Sequence, residues 1–328
     1  MKKYFLGIDG GGTRTTAWLA NERGRVVARA VAGPSNPLKV GYEACEREVL
    51  RAAVLAFRKA HVAPTLRSAR NRKSKTADLK VGSTKNQLEA VVVGLAGVDR
   101  PQVHAPILKW LRKAIPARHH LLTSDAAIAL HAAIGNSPGI MVISGTGSIA
   151  YARDGSGNDL RSGGWGAAFD DAGSGYDLGR RAIIAALRDY DGRGHHTILG
   201  PRICRALHLR DITQVILKPL SAQDIAALFP VVLKAAQRGD AVARFMLDCA
   251  AHDLSDLAFA LIDRLGWKRR EFPVVGAGGI FSASPRVRKM FSLFVRNIAP
   301  RARTVLLRKH PVEGAIALAR EFAGSRKS

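Results

Sequence analysis

The sequence predicts an α/β protein built from two lobes, and three observations support this. First, 328 residues exceed the roughly 250–300 residues at which a single hydrophobic core stops growing. Second, strand and helix patterns alternate between about residues 90 and 133, as in a mixed sheet covered by helices. Third, a strand, a glycine-rich turn and a second strand open the chain, and the same unit recurs near residue 139. The fold therefore begins twice.

The first lobe, predicted at residues 1–135, opens on an antiparallel meander of three strands. A helix with an apolar face follows, and strands then alternate with helices. The predicted strands are Tyr4–Asp9, Thr13–Leu19, Val26–Val31, Ala90–Leu95 and His120–Thr123. The predicted helices are Tyr42–Ala60, Pro101–Ala114 and Ala126–Ala133.

The second lobe, predicted at residues 136–310, repeats the opening unit and then becomes mainly helical. We expect a helical insertion at about 173–265, and we expect the last helix, within about 311–328, to pack back on the first lobe. The predicted strands are Gly139–Ile143, Ile149–Ala152, a return strand near Leu160, Phe272–Gly279 with its turn, and Thr304–Leu307. The predicted helices are Tyr176–Leu187, Pro201–Leu207, Ala222–Ala236, Ala241–Leu265, Pro285–Ile298 and Val312–Phe322.

Basic residues dominate the charge. The chain carries 51 Lys and Arg against 26 Asp and Glu, a net charge of +25, which attracts nucleotides and nucleic acids alike. Part of this excess lies in Leu66–Lys85, where seven basic residues accompany one acid. That stretch has no aromatic residue, whereas nucleic-acid readers usually interleave aromatic side chains with basic ones. We therefore expect a solvated basic loop, inserted at about 64–87, and no specific nucleic-acid partner.

The cysteines and the apolar runs indicate the compartment. Cys45, Cys204 and Cys249 lie far apart with no C-x-x-C pair, which argues against a disulfide framework or a zinc site. The first apolar run ends at Asp9, too early for a signal peptide, and no run approaches the length of a membrane span. We expect a cytoplasmic protein without membrane contact, and a homodimer because that is the commonest oligomer.

The first glycine-rich turn has the composition of a phosphate-binding loop. It reads Asp9-Gly10-Gly11-Gly12-Thr13-Arg14-Thr15. Backbone N–H groups at Gly11 and Gly12 can close on phosphate oxygens, and the hydroxyls of Thr13 and Thr15 can donate further hydrogen bonds. Asp9 would hold Mg²⁺ through water. The alternative is a plain hairpin turn, which needs one or two glycines rather than three; a P-loop is excluded because G-x-x-x-x-G-K-[ST] is absent.

Two later turns repeat this composition. Ser144-Gly145-Thr146-Gly147-Ser148 again lies between two predicted strands and supplies a second clamp for polyphosphate through Gly145 and Thr146. A third turn contains Gly276, Gly278 and Gly279 after a buried strand. Glycines there would let adenosine lie against the backbone, or would serve close packing of the strand on the next helix.

Asp125 is the candidate general base. It follows a predicted strand and opens a helix in Thr123-Ser124-Asp125-Ala126-Ala127. In that position it can accept the proton of a substrate hydroxyl that attacks a γ-phosphate. The alternative is that Asp125 simply caps the helix, a common role for Asp.

In this order, the three turns resemble the phosphate-1, phosphate-2 and adenosine motifs of the actin, hexokinase and acetate-kinase superfamily. Pro34-Ser35-Asn36, the Asp125 segment, Ser144–Ser148 and the block from Gly163 to Tyr176 resemble the BadF/BadG/BcrA/BcrD ATPase family, and within it the N-acetylglucosamine kinases. The resemblance spans nearly the whole chain apart from the basic loop. It implies a two-lobed actin-like ATPase fold, that is, a duplicated ribonuclease H-like fold, with the active site in the interdomain cleft.

The resemblance also implies the roles of individual residues. Thr13 and Thr146 would contact ATP, and Asp125 would be the catalytic base. The sugar-binding site would be lined by Asn36, Gly147, Ser148, Gly164, Trp165 and Asp171. Such a site would transfer the γ-phosphate of ATP, with Mg²⁺, to a hydroxyl of N-acetylglucosamine, expected to be the 6-hydroxyl. Trp165 alternatively belongs to the core.

Two departures from the family pattern leave the sugar open. Asp170 stands where the family usually has glycine, and Ala172 stands where it usually has glutamate. Glucosamine, N-acetylmuramic acid and N-acetylmannosamine therefore remain alternative substrates. Another branch of the family comprises ATPase activators of radical acyl-CoA dehydratases, which bind an iron–sulfur cluster between two subunits; the cysteines here lack cluster-like spacing.

Overall fold

A computed structural model describes residues 2–62, 86–156 and 159–324. The predicted basic loop Leu66–Lys85 lies outside these residues. The chain divides into unit 1, Met1–Asn136 with Arg308–Ser328, and unit 2, Ser137–Leu307. Each unit contains a mixed five-stranded sheet, so the predicted α/β class is confirmed.

Unit 1 is a sheet with helices on both faces. Its strands are β1 (Lys2–Gly10), β2 (Thr15–Asn21), β3 (Val26–Ala32), β4 (Asn86–Leu95) and β5 (His119–Thr123), in the order β3-β2-β1-β4-β5. Its helices are α1 (Pro37–Val40), α2 (Tyr42–Lys59), α3 (Pro101–Ala114), α4 (Asp125–Ile134) and α12 (Pro311–Gly324). β1, β2 and β3 form the predicted antiparallel meander, and β4 and β5 extend the sheet in parallel.

The central strand β1 is buried on both faces because its side chains alternate between two cores. Leu6 and Ile8 join the core that contains α2 and α3. Phe5 joins the opposite core, which contains α4 and α12. Gly7 lies against α12, since a Cβ there would come within 3.0 Å of Ile316. This arrangement fixes the carboxyl end of β1 at one edge of the sheet.

Unit 2 joins a second sheet to a large helical body. Its strands are β6 (Gly139–Ser144), β7 (Ser148–Arg153), β8 (Asp159–Gly163), β9 (Pro273–Ala277) and β10 (Arg303–Leu306), in the order β10-β9-β6-β7-β8. Its α-helices are α5 (Gly175–Tyr190), α6 (Leu199–Leu207), α7 (Ala222–Ala226), α8 (Phe229–Gln237), α9 (Ala241–Arg264), α10 (Gly279–Ala283) and α11 (Pro285–Ile298), and Ile212–Leu217 is a 3₁₀ helix.

One predicted helix of unit 2 is wrong. The sequence predicts a single helix over Ala222–Ala236, but the structure has α7 and α8 instead. Pro230 falls in the first turn of α8, where its missing N–H costs nothing, whereas inside a continuous helix it would break a hydrogen bond. Three short elements, α1, α10 and the 3₁₀ helix, were not predicted.

The cysteines lie in three different helices. Cys45 is buried in α2, Cys204 is buried in α6, and Cys249 is partly buried in α9. Burial raises the pKa of the Cys45 thiol to about 12, so it stays protonated. Within the described residues, no helix is both long and apolar enough to cross a membrane.

The contact between α4 and α12 tests how tightly unit 1 is packed. A Cβ on Gly314 would lie 1.9 Å from the carbonyl oxygen of Ile128 and 2.7 Å from the nitrogen of Ala132. Because these are backbone atoms that cannot rotate away, we expect Gly314→Ala to destabilise the protein by about 1–3 kcal/mol. Thermal unfolding followed by circular dichroism measures the change.

Gly324→Ala is the matched control on the same helix. A Cβ at Gly324 would meet no atom within 4 Å, and alanine favours helix over glycine. This variant should melt at or slightly above the wild-type temperature. Equal melting temperatures for the two variants would contradict close packing of α12 on α4.

Candidate active site

The turn between β1 and β2, residues 10–14, is called turn A here. Within it the N–H of Gly11 donates to the carbonyl oxygen of Arg14 at 3.0 Å. The carbonyl oxygen of Gly11 accepts from the N–H groups of Ser35 and Asn36 at 3.0 and 3.1 Å. Both backbone groups of Gly11 therefore shape the turn. The N–H groups of Gly12 and Thr13 remain for phosphate oxygens, and the Thr13 side chain is exposed.

Thr15, predicted to contact ATP, supports turn A instead. Its side chain is fully buried. The hydroxyl donates to the carbonyl oxygen of Gly33 at 2.6 Å and lies 2.7 Å from Ser35 Oγ. Gly10 is just as confined, since a Cβ there would lie 2.2 Å from Ser35 Oγ. The prediction for Thr15 is therefore corrected. Its buried hydroxyl bonds to Gly33 and Ser35, and this segment in turn donates hydrogen bonds to Gly11.

Two basic side chains beside turn A were not predicted as site residues. A Cβ built on Gly12 would lie 3.3 Å from Lys39 Nζ, so the ammonium group borders the open part of the turn. Arg14 lies in the turn itself, and its charge opposes the rise in the pKa of Asp9. Lys39 had no sequence signal, because its position depends on how α1 folds back on turn A. Together these cations suit a polyphosphate.

The carboxylates of Asp9 and Asp125 lie at the same edge of the unit 1 sheet. Asp9 closes β1 and Asp125 follows β5, and these strands run parallel to the intervening β4. Burial and the charge of Asp125 raise the pKa of Asp9 to about 7. Burial also raises the pKa of Asp125 to about 6, and the exposed carboxylate of Asp99 adds to that rise. Among the described residues, Arg14 is the cation that lowers the pKa of Asp9, and its side chain is exposed.

This donor set fits Mg²⁺. The ion prefers carboxylate and water oxygens, and it binds proteins through one or two carboxylates while keeping several waters. A divalent cation beside Asp9 would remove the electrostatic cost that its ionised form carries at neutral pH. The residues present are therefore compatible with the predicted metal position.

Ser124, rather than Asp125, caps α4. Its hydroxyl oxygen accepts from the N–H of Ala127 at 3.0 Å, which satisfies one of the free donors of the first turn. Asp125 is the first residue of the helix, and its Oδ1 accepts from the N–H of Ala126 at 2.9 Å. Because Ser124 is the N-cap, the capping alternative for Asp125 is wrong.

Asn36 fixes the start of α1. Its Oδ1 accepts from the N–H of Leu38 at 3.0 Å. A Cβ on Gly97 would come within 3.1 Å of the same oxygen, so the loop after β4 closes over it. The oxygen is thus committed to the protein, and the Nδ2 donor is the part of Asn36 that can meet a ligand.

In unit 2 the turn between β6 and β7, Gly145–Gly147, is called turn B here. The N–H of Gly145 donates to the carbonyl oxygen of Gly147 at 2.9 Å. The carbonyl oxygens of Gly145 and Thr146 accept from Gly175 and Tyr176, the first residues of α5, at 2.8 and 3.2 Å. A Cβ on Gly145 would meet no atom within 4 Å, so this side of the turn can admit a phosphate.

Ser148 and Asp171, predicted to contact the sugar, anchor turn B. Both are buried, and Asp171 has a left-handed φ of 69°. The Ser148 N–H donates to Asp171 Oδ1 at 3.1 Å, and the Ser148 hydroxyl donates to the carbonyl oxygen of Ala172 at 2.7 Å. Gly147 has no room for a side chain, since a Cβ would lie 2.7 Å from the Asp171 carboxylate. All three therefore help to hold turn B, and their contact with a sugar stays a prediction.

The segment before Asp171 exposes two aromatic rings. Trp165 is 59% exposed, with the Arg161 guanidinium 4.5 Å from its ring centre, and Phe169 is 90% exposed. The alternative that Trp165 is a core residue is wrong. Gly164 has a φ of 74°, and a Cβ would lie 2.3 Å from Ile149, so its missing side chain allows close packing; its contact with a sugar stays a prediction.

The three glycines after β9 divide between packing and access. A Cβ on Gly276 would lie 2.8 Å from the ring of Phe281, and one on Gly278 would lie 2.2 Å from the carbonyl oxygen of Ser144. These two glycines allow close packing, which is the alternative interpretation given for this turn. A Cβ on Gly279 would meet nothing within 4 Å. Of the three, only Gly279 has space beside it for an adenosine.

Comparisons with known proteins identify the family. The family model described as the BadF/BadG/BcrA/BcrD ATPase family matches residues 6–319. A relative from Clostridium acetobutylicum, named N-acetylmuramic acid/N-acetylglucosamine kinase, is 31% identical over 97% of this chain and 98% of its own length. These matches confirm the resemblance drawn from the motifs.

Solved structures confirm the predicted actin-like sugar-kinase fold. A Chromobacterium violaceum protein, provisionally named an N-acetylglucosamine kinase, superposes with a TM-score of 0.76 at 28% identity, over 96% of this chain and 98% of that one. A glucokinase of the ROK family from Streptomyces griseus gives a TM-score of 0.59 at 18% identity, over 98% and 99% of the two chains, which speaks to fold alone.

The raised pKa of Asp9 predicts a pH-dependent gain in stability when its charge is removed. An unfolded Asp titrates near about 3.9, so between that pH and about 7 the folded state holds a proton that the unfolded state releases. Stability therefore falls as pH rises through this window. Asp9→Asn abolishes that loss, and in magnesium-free buffer it should melt at least about 2 °C above wild type at pH 8.

The gain should shrink towards zero at pH 4, where Asp9 is protonated in the folded state. Glu22→Gln, which removes an exposed carboxylate from the turn between β2 and β3, is the control and should show no such pH dependence. A difference between Asp9→Asn and wild type that is constant from pH 4 to pH 8 would refute the assignment.

Proposed function

The chain belongs to the BadF/BadG/BcrA/BcrD ATPase family, and on this premise we propose that it is an ATP-dependent kinase of N-acetylglucosamine. One observation carries the proposal: Asp125, at the carboxyl edge of the unit 1 sheet, is a carboxylate with raised pKa that its helix does not need as a cap. A group of this kind beside a glycine-rich phosphate turn suits transfer of a phosphoryl group to an alcohol.

Asp125 acts as the general base in this proposal. Oδ2 accepts the proton of the sugar hydroxyl as that oxygen attacks the γ-phosphorus of ATP, and the bond from the γ-phosphorus to the β,γ-bridging oxygen breaks to release ADP. A pKa of about 6 leaves the carboxylate mainly ionised at neutral pH while making it a stronger base than an ordinary Asp. We assign the attacking oxygen to the 6-hydroxyl, as the family resemblance implies.

ATP binds to those groups of turn A and turn B that do not take part in folding the turns themselves. In unit 1 these are the N–H groups of Gly12 and Thr13, the Thr13 hydroxyl and the Lys39 ammonium. In unit 2 they are turn B, through Thr146 and the open side of Gly145, and Gly279 for the adenosine. Asp9 would hold Mg²⁺ through water, and the bound ion would supply positive charge beside the phosphates.

The sugar meets groups that are exposed rather than committed to the fold. Asn36 offers its Nδ2 donor to a hydroxyl or to the acetamido oxygen, and the Trp165 ring offers an apolar wall. N-acetylglucosamine is the leading substrate. Glucosamine and N-acetylmuramic acid are the alternatives, since Ala172 removes the acidic side chain that relatives carry there.

The co-substrate and the thiols indicate the cellular compartment in which the enzyme works. We propose that it works in the cytoplasm, where ATP is abundant and where free cysteines such as Cys45 and Cys204 stay reduced. We propose a homodimer as its assembly, on the general frequency of such dimers.

Removing the base tests the proposal directly. Asp125→Asn keeps the shape of the side chain but cannot take the proton, so kcat for N-acetylglucosamine-dependent ADP release should fall at least about a hundredfold. The assay is run over N-acetylglucosamine, glucosamine, N-acetylmuramic acid and N-acetylmannosamine. The melting temperature should not fall, because Ser124 caps the helix in both proteins.

Each other result has a definite meaning. ADP release that ignores every sugar would replace the kinase by a bare ATPase, as in the activator branch of the family. A higher kcat/KM for another amino sugar would keep the kinase and change its substrate. Full activity in Asp125→Asn would remove Asp125 as the base.

Lys39 is expected to serve ATP rather than the sugar. Its ammonium borders Gly12, so Lys39→Met should raise KM for ATP by about tenfold through loss of a charge-assisted contact. The KM for the sugar should change little. Lys39→Arg should recover part of the affinity, and Lys109→Met, which removes an exposed lysine from α3, should leave both constants unchanged. Parallel changes in the two lysine variants would indicate only bulk charge.

A further inference from the structure

The helical body of unit 2 contains a groove that the proposed reaction does not use. It has a volume of about 1030 Å³ and is open to solvent on one side. Its walls are the end of α5, the segment 196–198, α6, residues 209–212 and the end of α8. This volume is in the upper range of small-molecule sites in proteins, which are about 300–1,000 Å³.

The groove lies away from turn B. Ala186, which lines it, follows Gly175 by eleven residues on α5. At 1.5 Å per residue this places Ala186 about 16 Å along the helix from the end that holds turn B. Ligands of turn B and of the groove therefore occupy different ends of α5.

Unpaired arginines dominate the lining. Four arginines are among the residues that line the groove, and none makes an ion pair with any residue that the structure describes. They are Arg202, Arg205, Arg210 and Arg238. Like charges gathered around a concave surface repel one another, so an anion bound there would relieve that repulsion.

The two carboxylates of the lining offset part of this charge, and local hydrogen bonds hold them in the walls. Asp189 Oδ2 accepts from the N–H of Thr197 at 2.9 Å and lies 3.2 Å from His196 Nδ1. Asp211 Oδ1 accepts from the N–H and the hydroxyl of Thr213, and this lowers the pKa of Asp211. Four arginines in the lining thus outnumber its two carboxylates.

One wall is held rigidly in place. Thr197 is buried, and its hydroxyl donates to Asp240 Oδ2 at 2.8 Å. The same oxygen accepts from the N–H of Ile198 at 2.8 Å. Asp189 from α5 and Asp240 before α9 therefore clamp the segment that leads into α6, which carries Arg202 and Arg205. The cations are presented from a preformed surface.

We propose that this groove binds a phosphate monoester. Guanidinium groups match phosphate oxygens with paired hydrogen bonds, and several of them can surround a doubly charged head group. The exposed ring of Tyr190 and the ring of Pro201 give the groove an apolar side against which a sugar or a base can lie. A sugar phosphate and a nucleoside monophosphate share this chemistry.

Calorimetric titration of the full chain tests the proposal, with saturating MgADP present to occupy the turns. The probes are N-acetylglucosamine 6-phosphate, AMP and inorganic phosphate. We expect one monoester bound per chain, and binding weakened by at least about tenfold in Arg202→Gln/Arg205→Gln. The monoester that binds more tightly identifies the source, and inorganic phosphate should bind more weakly than either because it cannot contact Tyr190.

Two further variants protect the interpretation. Arg269→Gln/Arg301→Gln removes the same charge from exposed positions of unit 2 outside the groove and should bind like wild type. Arg210→Gln/Arg238→Gln removes exposed arginines of the lining outside α6 and should repeat the loss, even if the α6 variant folds poorly. Absence of binding to wild type, unchanged affinity in both groove variants, or an equal loss in the control would each overturn the proposal.

Discussion

The constraint on which both halves of the molecule depend is that each glycine-rich turn is held through its own carbonyl oxygens by a distant segment. Gly11 accepts two hydrogen bonds from Ser35 and Asn36, and turn B accepts two from the start of α5. The fold uses these carbonyl groups, whereas the N–H groups of Gly12 and Thr13 in turn A and of Thr146 in turn B make no backbone hydrogen bond to any residue that the structure describes. The same solution appears in each unit, with different partners. The strand–turn–strand unit that occurs twice in the sequence therefore folds in the same way in each unit. In both, backbone N–H groups are available to bind an anion.

The fold accepts an electrostatic cost at the site that the rest of the structure avoids. Asp9 and Asp125 are brought to one edge of the sheet, where burial raises both pKa values, the charge of Asp125 adds to the rise at Asp9, and the charge of Asp99 adds to the rise at Asp125. The buried carboxylate of Glu89, by contrast, has Lys3 and Arg118 beside it. Ser124 takes over the capping of α4, so Asp125 is not needed for the stability of the helix that carries it. Such concentrated cost is what a site for a metal and a transferable proton requires.

Sequence reasoning was most reliable where periodicity and turn chemistry act locally. The meander, the parallel strands and most helices follow from those signals. Pro230 also signals the break between α7 and α8, but the predicted helix ran through it. Composition could not separate the glycines that admit a ligand from those that admit a neighbour: Gly145 and Gly279 are open, whereas Gly276 packs on Phe281. Nor could it tell exposed Thr13 from buried Thr15, two residues apart. Lys39 was missed because its place depends on a tertiary contact that no pattern records.

The departure at Ala172 can be compared with the bonds that anchor residues 171–174, several of which use main-chain carbonyl oxygens. The Ser148 hydroxyl donates to the carbonyl oxygen of Ala172, and the Ser144 hydroxyl donates to that of Gly173. The N–H of Ser174 returns to the carbonyl oxygen of Asp171. None of these bonds uses the side chain at 172. The alanine at position 172 is therefore compatible with the bonds that hold turn B.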